Sequence, residues 1–336
     1  MESSGSLQSN SRNAEIADFF RRLVKNPAPM AVLLGIFMFI VGGILRPESI
    51  NRQAIGSILF STVLLSIAAG GQTLVLISGG LDFTIGAVMS ASALIATHIM
   101  NGQPGRFFLV LLIALPMGMA VGFANGFSVV KIGLPAMIVT MAIANVVTRL
   151  TYVFTAGVPS GLPSEAFKQS VIMRIGNWFP IIVVWGVAFW AIMFYILNFS
   201  RFGKQVYLVG NNPVAANLCG VKVNKIRILT YMISGMMAAF VGILAMGYSG
   251  FARCQLFDEY AFKSLVAVIV GGTSFSGGVG TYYGSIAGAF MMTVLSNTLT
   301  IVLTVFNLPS ALINIINGAV LLVLLISYSR GASVRQ

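Results

Sequence analysis

Apolar stretches long enough to cross a lipid bilayer follow one another along most of this chain, and they leave room for little other than a helical membrane protein. Charged residues, proline and glycine divide the sequence into roughly ten such stretches, near 30–45, 54–77, 85–100, 106–130, 134–154, 180–198, 228–247, 261–273, 281–304 and 310–328. A span needs about 20 mostly apolar residues. Only 8% of the 336 residues are charged, 57% are apolar, and the mean hydropathy is +0.92, whereas soluble domains carry roughly a quarter charged residues. The expected fold is all-α: a polytopic integral membrane protein of about ten transmembrane helices, with the membrane domain at 29–330 and a short tail at 331–336. The stretch 70–100 is the least regular, because Gly70, Gly71, Gly79, Gly80 and Gly86 interrupt it.

Residues 1–28 lack the basic start and apolar core of a cleavable signal and are expected to stay attached as a cytoplasmic leader. Within them Ile16, Phe19, Phe20, Leu23 and Val24 share one helical face, with Arg21, Arg22 and Lys25 off it. That pattern suits a helix lying on anionic membrane lipid, or one packed on the bundle. Basic residues then set the orientation. With both termini cytoplasmic, twelve of the twenty lysines and arginines fall on the inner side, five of them in the loop 199–227. Topology therefore accounts for the net charge of +12, and no soluble basic face with interleaved aromatics points to nucleic acid.

The chain offers little for catalysis. His98 is its single histidine, placed near an outer span end, so a multi-histidine metal site is excluded. Cys219 and Cys254 are expected on opposite membrane sides and show no CxxC spacing. No G-x-x-x-x-G-K-[ST] phosphate loop occurs, so any ATP is bound by another chain. The chain is expected to be no enzyme, to hold no catalytic residue and no metal, and to move a solute. An ion-coupled carrier would rest on Asp82, whose simpler role is to cap the helix that begins near Thr84. An integral-membrane enzyme or assembly factor is the third class and finds no catalytic cluster.

Two regions suggest how movement is organised. In 199–227, Asn211 and Asn212 can cap, Pro213 suits a first helical position, and Gly220 would stop a short helix over Val214 to Leu218. Such a helix among basic residues would make a docking knob, with Ala215 and Ala216 allowing close approach, or simply a surface helix between spans. In 259–288 an apolar run ends at Gly271-Gly272, a small polar turn follows, and Gly277, Gly278 and Gly280 lead into another apolar run. This reads as two helices meeting at a tight inner turn, as does Gly79-Gly80.

Four blocks carry a family resemblance. Gln72-Thr-Leu-Val-Leu-Ile-Ser-Gly-Gly-Leu-Asp-Phe-Thr-Ile-Gly86, Gly122-Phe-Ala-Asn-Gly126 with Leu134-Pro-Ala-Met-Ile-Val-Thr-Met141, Phe202-Gly203 through Gly220-Val221, and Val268 to Gly288 resemble, in order, motifs of bacterial ABC importer permeases. The group is that of the ribose-type sugar permeases, which shares ancestry with branched-chain amino acid permeases. The resemblance implies a multi-pass protein of the bacterial inner membrane. Its partners would be a second permease, a subunit that binds ATP and magnesium and docks at Gly210, Asn211, Asn212, Pro213, Ala215, Ala216 and Gly220, and a periplasmic solute-binding protein. The receptor is expected at the loop 156–179, with Pro159, Pro163, Glu165 and Lys168. This chain would bind no cofactor itself. Gln72, Asn125, Thr140, Asn145 and Asn297 would line the solute pathway, or else hydrogen-bond helix to helix. A monosaccharide is the expected cargo. One departure stands out: Ala261-Phe262-Lys263 stands where many relatives carry Glu-Leu-Asp, which suggests either that a paralogous second permease supplies complementary charge or that the cargo is a modified or non-pentose sugar.

Overall fold

A computed structural model of the chain describes residues 26–156, 160–176 and 179–309, with 312, 315, 316, 318 and 319 beyond them. The leader helix at 16–24, Pro159, the tail and most of the stretch 310–328 lie outside the described residues. The chain is a bundle of helices: α1 Pro27–Leu45, α2 Arg52–Ile77, α3 Ile85–Met100, α4 Phe107–Phe127, α5 Ala136–Phe154, α6 Glu165–Ile172, α7 Ile182–Asn198, α8 Arg201–Asn211, α9 Pro213–Leu218, α10 Val223–Ser249, α11 Tyr260–Val270 and α12 Tyr282–Val305. Between α6 and α7 a two-residue ribbon pairs Arg174–Ile175 with Phe179–Pro180.

Among the described residues six helices are long and apolar enough to cross a membrane, or seven if α7 and α8, bent by 62° at their junction, form one span. The chain is a multi-pass membrane protein. Its outer belt agrees, since Phe108 and Leu112 on α4 are 80% and 70% exposed, as apolar side chains facing lipid would be. Two of the ten expected spans are corrected. The stretch 85–100 is a 16-residue helix and the stretch 261–273 holds an 11-residue one, about 24 Å and 16 Å long at 1.5 Å per residue. Neither crosses a hydrocarbon core of about 30 Å alone.

Helix α10 is the central post, packed against α2, α3 and α4. Its fit to α4 comes from glycines at four-residue spacing, Gly118, Gly122 and Gly126, which lie on one helical face. A methyl group added at Gly122 would stand 2.2 Å from the Tyr231 carbonyl oxygen, and one at Gly118 would stand 2.3 Å from that of Gly235. Backbone meets backbone here, as close helix pairs in membranes require. Gly122→Ala is therefore expected to destabilise the protein by about 2 kcal/mol. Thermal unfolding of the purified chain checks this against Gly105→Ala, whose added methyl meets nothing within 4 Å.

The two short helices are explained by what precedes them. After α2 ends, Ser78 to Thr84 run without helical structure and return into the bundle. The Arg227 guanidinium donates to Ser78 O, the Tyr231 hydroxyl meets Leu81, and Ser234 donates to Asp82. These contacts climb α10, and Asp82 lies about 16 Å from its first residue, on a helix about 40 Å long. Helix α3 thus begins inside the bundle. The segment 250–259 does the same from the opposite end: after Ser249 it folds back until the Phe257 and Asp258 carbonyls reach Gly86 in the first turn of α3. Helix α11 begins there.

Candidate functional site

Helix α9 forms as its sequence dictates. The Asn212 side chain accepts hydrogen bonds from the amides of Val214 and Ala215, each at 3.0 Å, Pro213 takes the first turn, and Gly220 follows with φ +81°. The outward face differs from expectation. Ala216 is buried against the chain itself, while Val214 and Leu218 are 70% and 84% exposed. These two share one face at i and i+4, so the outward face of α9 is a valine–leucine pair with Ala215 beside it, not an alanine pair. Helix α8 went unread within 199–227. Its signal is a short amphipathic stripe, with Gly203, Val206 and Val209 buried and Ser200 capping the Gly203 amide.

The end of α8 joins α9 to both glycine turns. A methyl at Gly210 would lie 1.8 Å from Ile77 O and 2.5 Å from the Gly278 amide, and one at Gly278 would lie 2.4 Å from the side chain of Asn211. The Gly278 amide donates to Ile77 O at 2.8 Å, and the Tyr207 hydroxyl donates to Gly280 O at 2.8 Å. Gly277 approaches Gly79 within the same junction. Sequence elements nearly 200 residues apart therefore converge at the end of α8, which a single residue separates from α9. Gly272 packs on Pro27, while Gly80 packs on the Tyr231 ring.

Asp82 is fully buried. One carboxylate oxygen accepts from the Thr84 amide and hydroxyl and the other from Ser234 at 2.7 Å, while Asn125 donates to Thr84 at 2.9 Å. Every donor comes from this chain, as a buried carboxylate needs. The network ties the start of α3 to α4 and α10.

The five expected pathway residues divide. Thr140 donates to the Ala136 carbonyl within its own helix, whereas Asn125 belongs to the Asp82 network and links α4 to the start of α3. Gln72 is buried with both amide atoms unpartnered. Asn145 and Asn297 line clefts on opposite flanks of α11. Asn297 shares its cleft with Ser57, Ser61, Thr293 and the ion pair between Lys263 and Glu259, 2.9 Å apart. The countercharge for Lys263 is thus supplied on its own helix, which removes the stated reason for requiring it from a paralogue. Asn145 shares the other cleft with Phe83, Thr148, Gln255, Asp258 and Phe262.

At the opposite end of the bundle from α9, His98 hydrogen-bonds Ser160 at 2.9 Å. Of the expected receptor contacts, Pro163 is buried, while Glu165 is exposed and lies 3.7 Å from Lys168. Both cysteines are free, Cys219 after α9 and Cys254 beside Thr155. Among the described residues no three His, Cys, Asp or Glu side chains are placed to hold a metal ion.

Comparison with known proteins places the sequence in a family. Residues 54–325 match the family described as branched-chain amino acid transport system, permease component. The chain is 29% identical to the ribose import permease protein RbsC of Escherichia coli strain K12 over 266 residues, covering 76% of this chain and 81% of that protein. It is 28% identical to the autoinducer 2 import system permease protein LsrC of Escherichia coli strain K12 / DH10B, over 91% of this chain and 88% of that one. The LsrC protein of Yersinia pseudotuberculosis is 30% identical over 91% and 86% of the two chains. No solved structure matches.

Proposed function

The chain belongs to the family of branched-chain amino acid transport system permease components, and on that premise we propose that it is the permease subunit of a binding-protein-dependent ABC importer. It carries a monosaccharide or related small polar solute across the bacterial inner membrane by ATP-driven alternating access. The relatives named for ribose and autoinducer 2 import support a sugar-like cargo. ATP and magnesium reside in a separate subunit below α9. A periplasmic solute-binding protein docks at the opposite end, and a second permease, identical or paralogous, completes the passage. In this reading both termini are cytoplasmic.

The observation that carries the reading is the capped helix α9, with its exposed Val214 and Leu218, joined through Gly210 and Gly278 to both glycine turns. A push on α9 reaches α2, α11 and α12 without passing through a flexible loop. Packed elements of this kind move as rigid bodies between two arrangements. The experiment is uptake by the complete complex reconstituted in vesicles. Inactivating the ATPase subunit is expected to stop uptake, and an ionophore that collapses the proton gradient is expected to leave it running. The opposite pair of results, together with loss of uptake in Asp82→Asn, would establish an ion-coupled carrier instead.

A further inference from the structure

The cleft beside Asp258 is formed where two half-length helices begin. Helix α3 starts at Ile85 and α11 at Tyr260, and the carbonyls of Phe257 and Asp258 touch the first turn of α3. Irregular backbone inside a membrane bundle is tolerated where it is buried in protein or lines a watery cavity. Here it opens on a cleft of about 240 Å³, smaller than the roughly 300–1,000 Å³ of sites for drug-sized ligands. The size suits a single sugar-like ring.

The lining has two chemistries. Asn145 and Thr148 come from α5, and Gln255 and Asp258 from the segment 250–259. One Asp258 carboxylate oxygen is buried with no hydrogen-bond partner. The Asn145 amide nitrogen donates to Met141 O at 3.0 Å, which leaves its oxygen to face a ligand. Opposite these groups stand the rings of Phe83 and Phe262, with centroids 5.3 Å apart. Gln255 holds a left-handed backbone, φ +63°, a conformation that the surrounding structure must impose on a residue other than glycine.

Lipid does not cover this face. Only 11% of the α5 window is buried inside the chain, yet Asn145 and Arg149 are both exposed on it. Polar and charged side chains at membrane depth look toward water or protein.

We propose that this cleft is the resting site of the transported solute, and that the solute is a neutral polyhydroxylated ring. Hydroxyl groups donate to Asp258 and to the Asn145 and Gln255 carbonyl oxygens, while the C–H face of the ring packs on Phe83 and Phe262. The lining holds one carboxylate and no lysine or arginine, with Arg149 one turn further along α5, which favours a neutral solute over a charged one. The inference rests on the permease reading and extends it to a site and a substrate class.

The test uses the full complex in vesicles, with its receptor, and D-ribose, D-galactose and myo-inositol as radiolabelled probes. Asp258→Asn and Asn145→Leu are each expected to lower uptake of the transported probe about tenfold or more, while receptor-stimulated ATP hydrolysis stays within about twofold of wild type. In a Cys219→Ser/Cys254→Ser background, Asn145→Cys is expected to react with a membrane-impermeant maleimide more slowly when the probe is present, while Phe108→Cys, facing lipid, does not react. Wild-type uptake in both variants overturns the site. Equal loss of uptake and ATP hydrolysis does so too, because it makes Asp258 and Asn145 structural anchors. Transport of none of the three probes overturns the substrate class. Failure of the permease reading is distinguishable, since uptake would then survive inactivation of the ATPase.

Discussion

Replacing both Val214 and Leu218 with Asp is expected to lower ATP-driven uptake about 100-fold, equivalent to about 2.7 kcal/mol, without reducing the amount of chain in the membrane. The reason lies in where the two side chains point. They are 70% and 84% exposed, so the charges meet water in the isolated chain and cost the fold little. In the complex they would enter the groove of the ATPase subunit, where an unpaired buried carboxylate is strongly unfavourable. Loss should also appear as failure of the ATPase subunit to co-purify. Val214→Leu with Leu218→Met, which keeps the apolar surface, should retain both binding and uptake. Normal co-purification of the Asp variant would remove α9 from the interface. Ala216 makes a useful contrast, because it is buried against its own chain, and enlarging it should disturb stability rather than docking alone.

Helix α9 was legible in the sequence because its signals are local: a capping asparagine, a proline in the first turn and a glycine stop act within eight residues. The orientation of α9 was not legible, since which alanine faces inward depends on packing against the rest of the bundle. Helix α8 was hidden for a related reason. Its basic and small residues resemble a loop, and its stripe of Gly203, Val206 and Val209 gains meaning only once a surface exists for it to lie on. The short spans were misjudged because hydropathy measures composition and not depth. The runs at 85–100 and 261–273 are apolar enough for membrane interior, but Asp82 anchored to Ser234, and Asp258 held beside Gly86, show that each helix starts part-way through. The sequence sign of this was present in the glycines and the single acid, Asp82, of 79–86 and in the polar residues of 253–259. The pathway residues could not be sorted by type alone. Asn125 and Asn145 are the same amide on neighbouring helices, yet one ties Thr84 to α4 and the other lines a cleft.

Gly271→Leu is expected to abolish uptake while leaving membrane insertion nearly intact. A methyl group at Gly271 would lie 2.2 Å from the Gly284 carbonyl oxygen, and one at Gly284 would lie 2.0 Å from that of Gly271. One turn along, a methyl at Gly288 would stand 1.9 Å from Ala267 O. Helices α11 and α12 therefore touch through their backbones, and no rotamer change can make room for a leucine. The helices must separate. Insertion is governed by hydropathy, and leucine raises it, so abundance in the membrane should hold. Transport depends on position: α11 begins two residues after Asp258, beside the Asn145 cleft, and leads into the turn whose Gly277 and Gly278 pack on Gly79 and Gly210. A shift of α11 away from α12 displaces the cleft and the junction together, which is why a single added side chain should cost uptake more than about 100-fold, or 2.7 kcal/mol. Uptake normalised to membrane abundance is the measurement, with Gly105→Leu as the control because nothing lies within 4 Å of that position. Normal uptake in Gly271→Leu would mean that α11 and α12 move independently, and that the push on α9 reaches the cleft by another route.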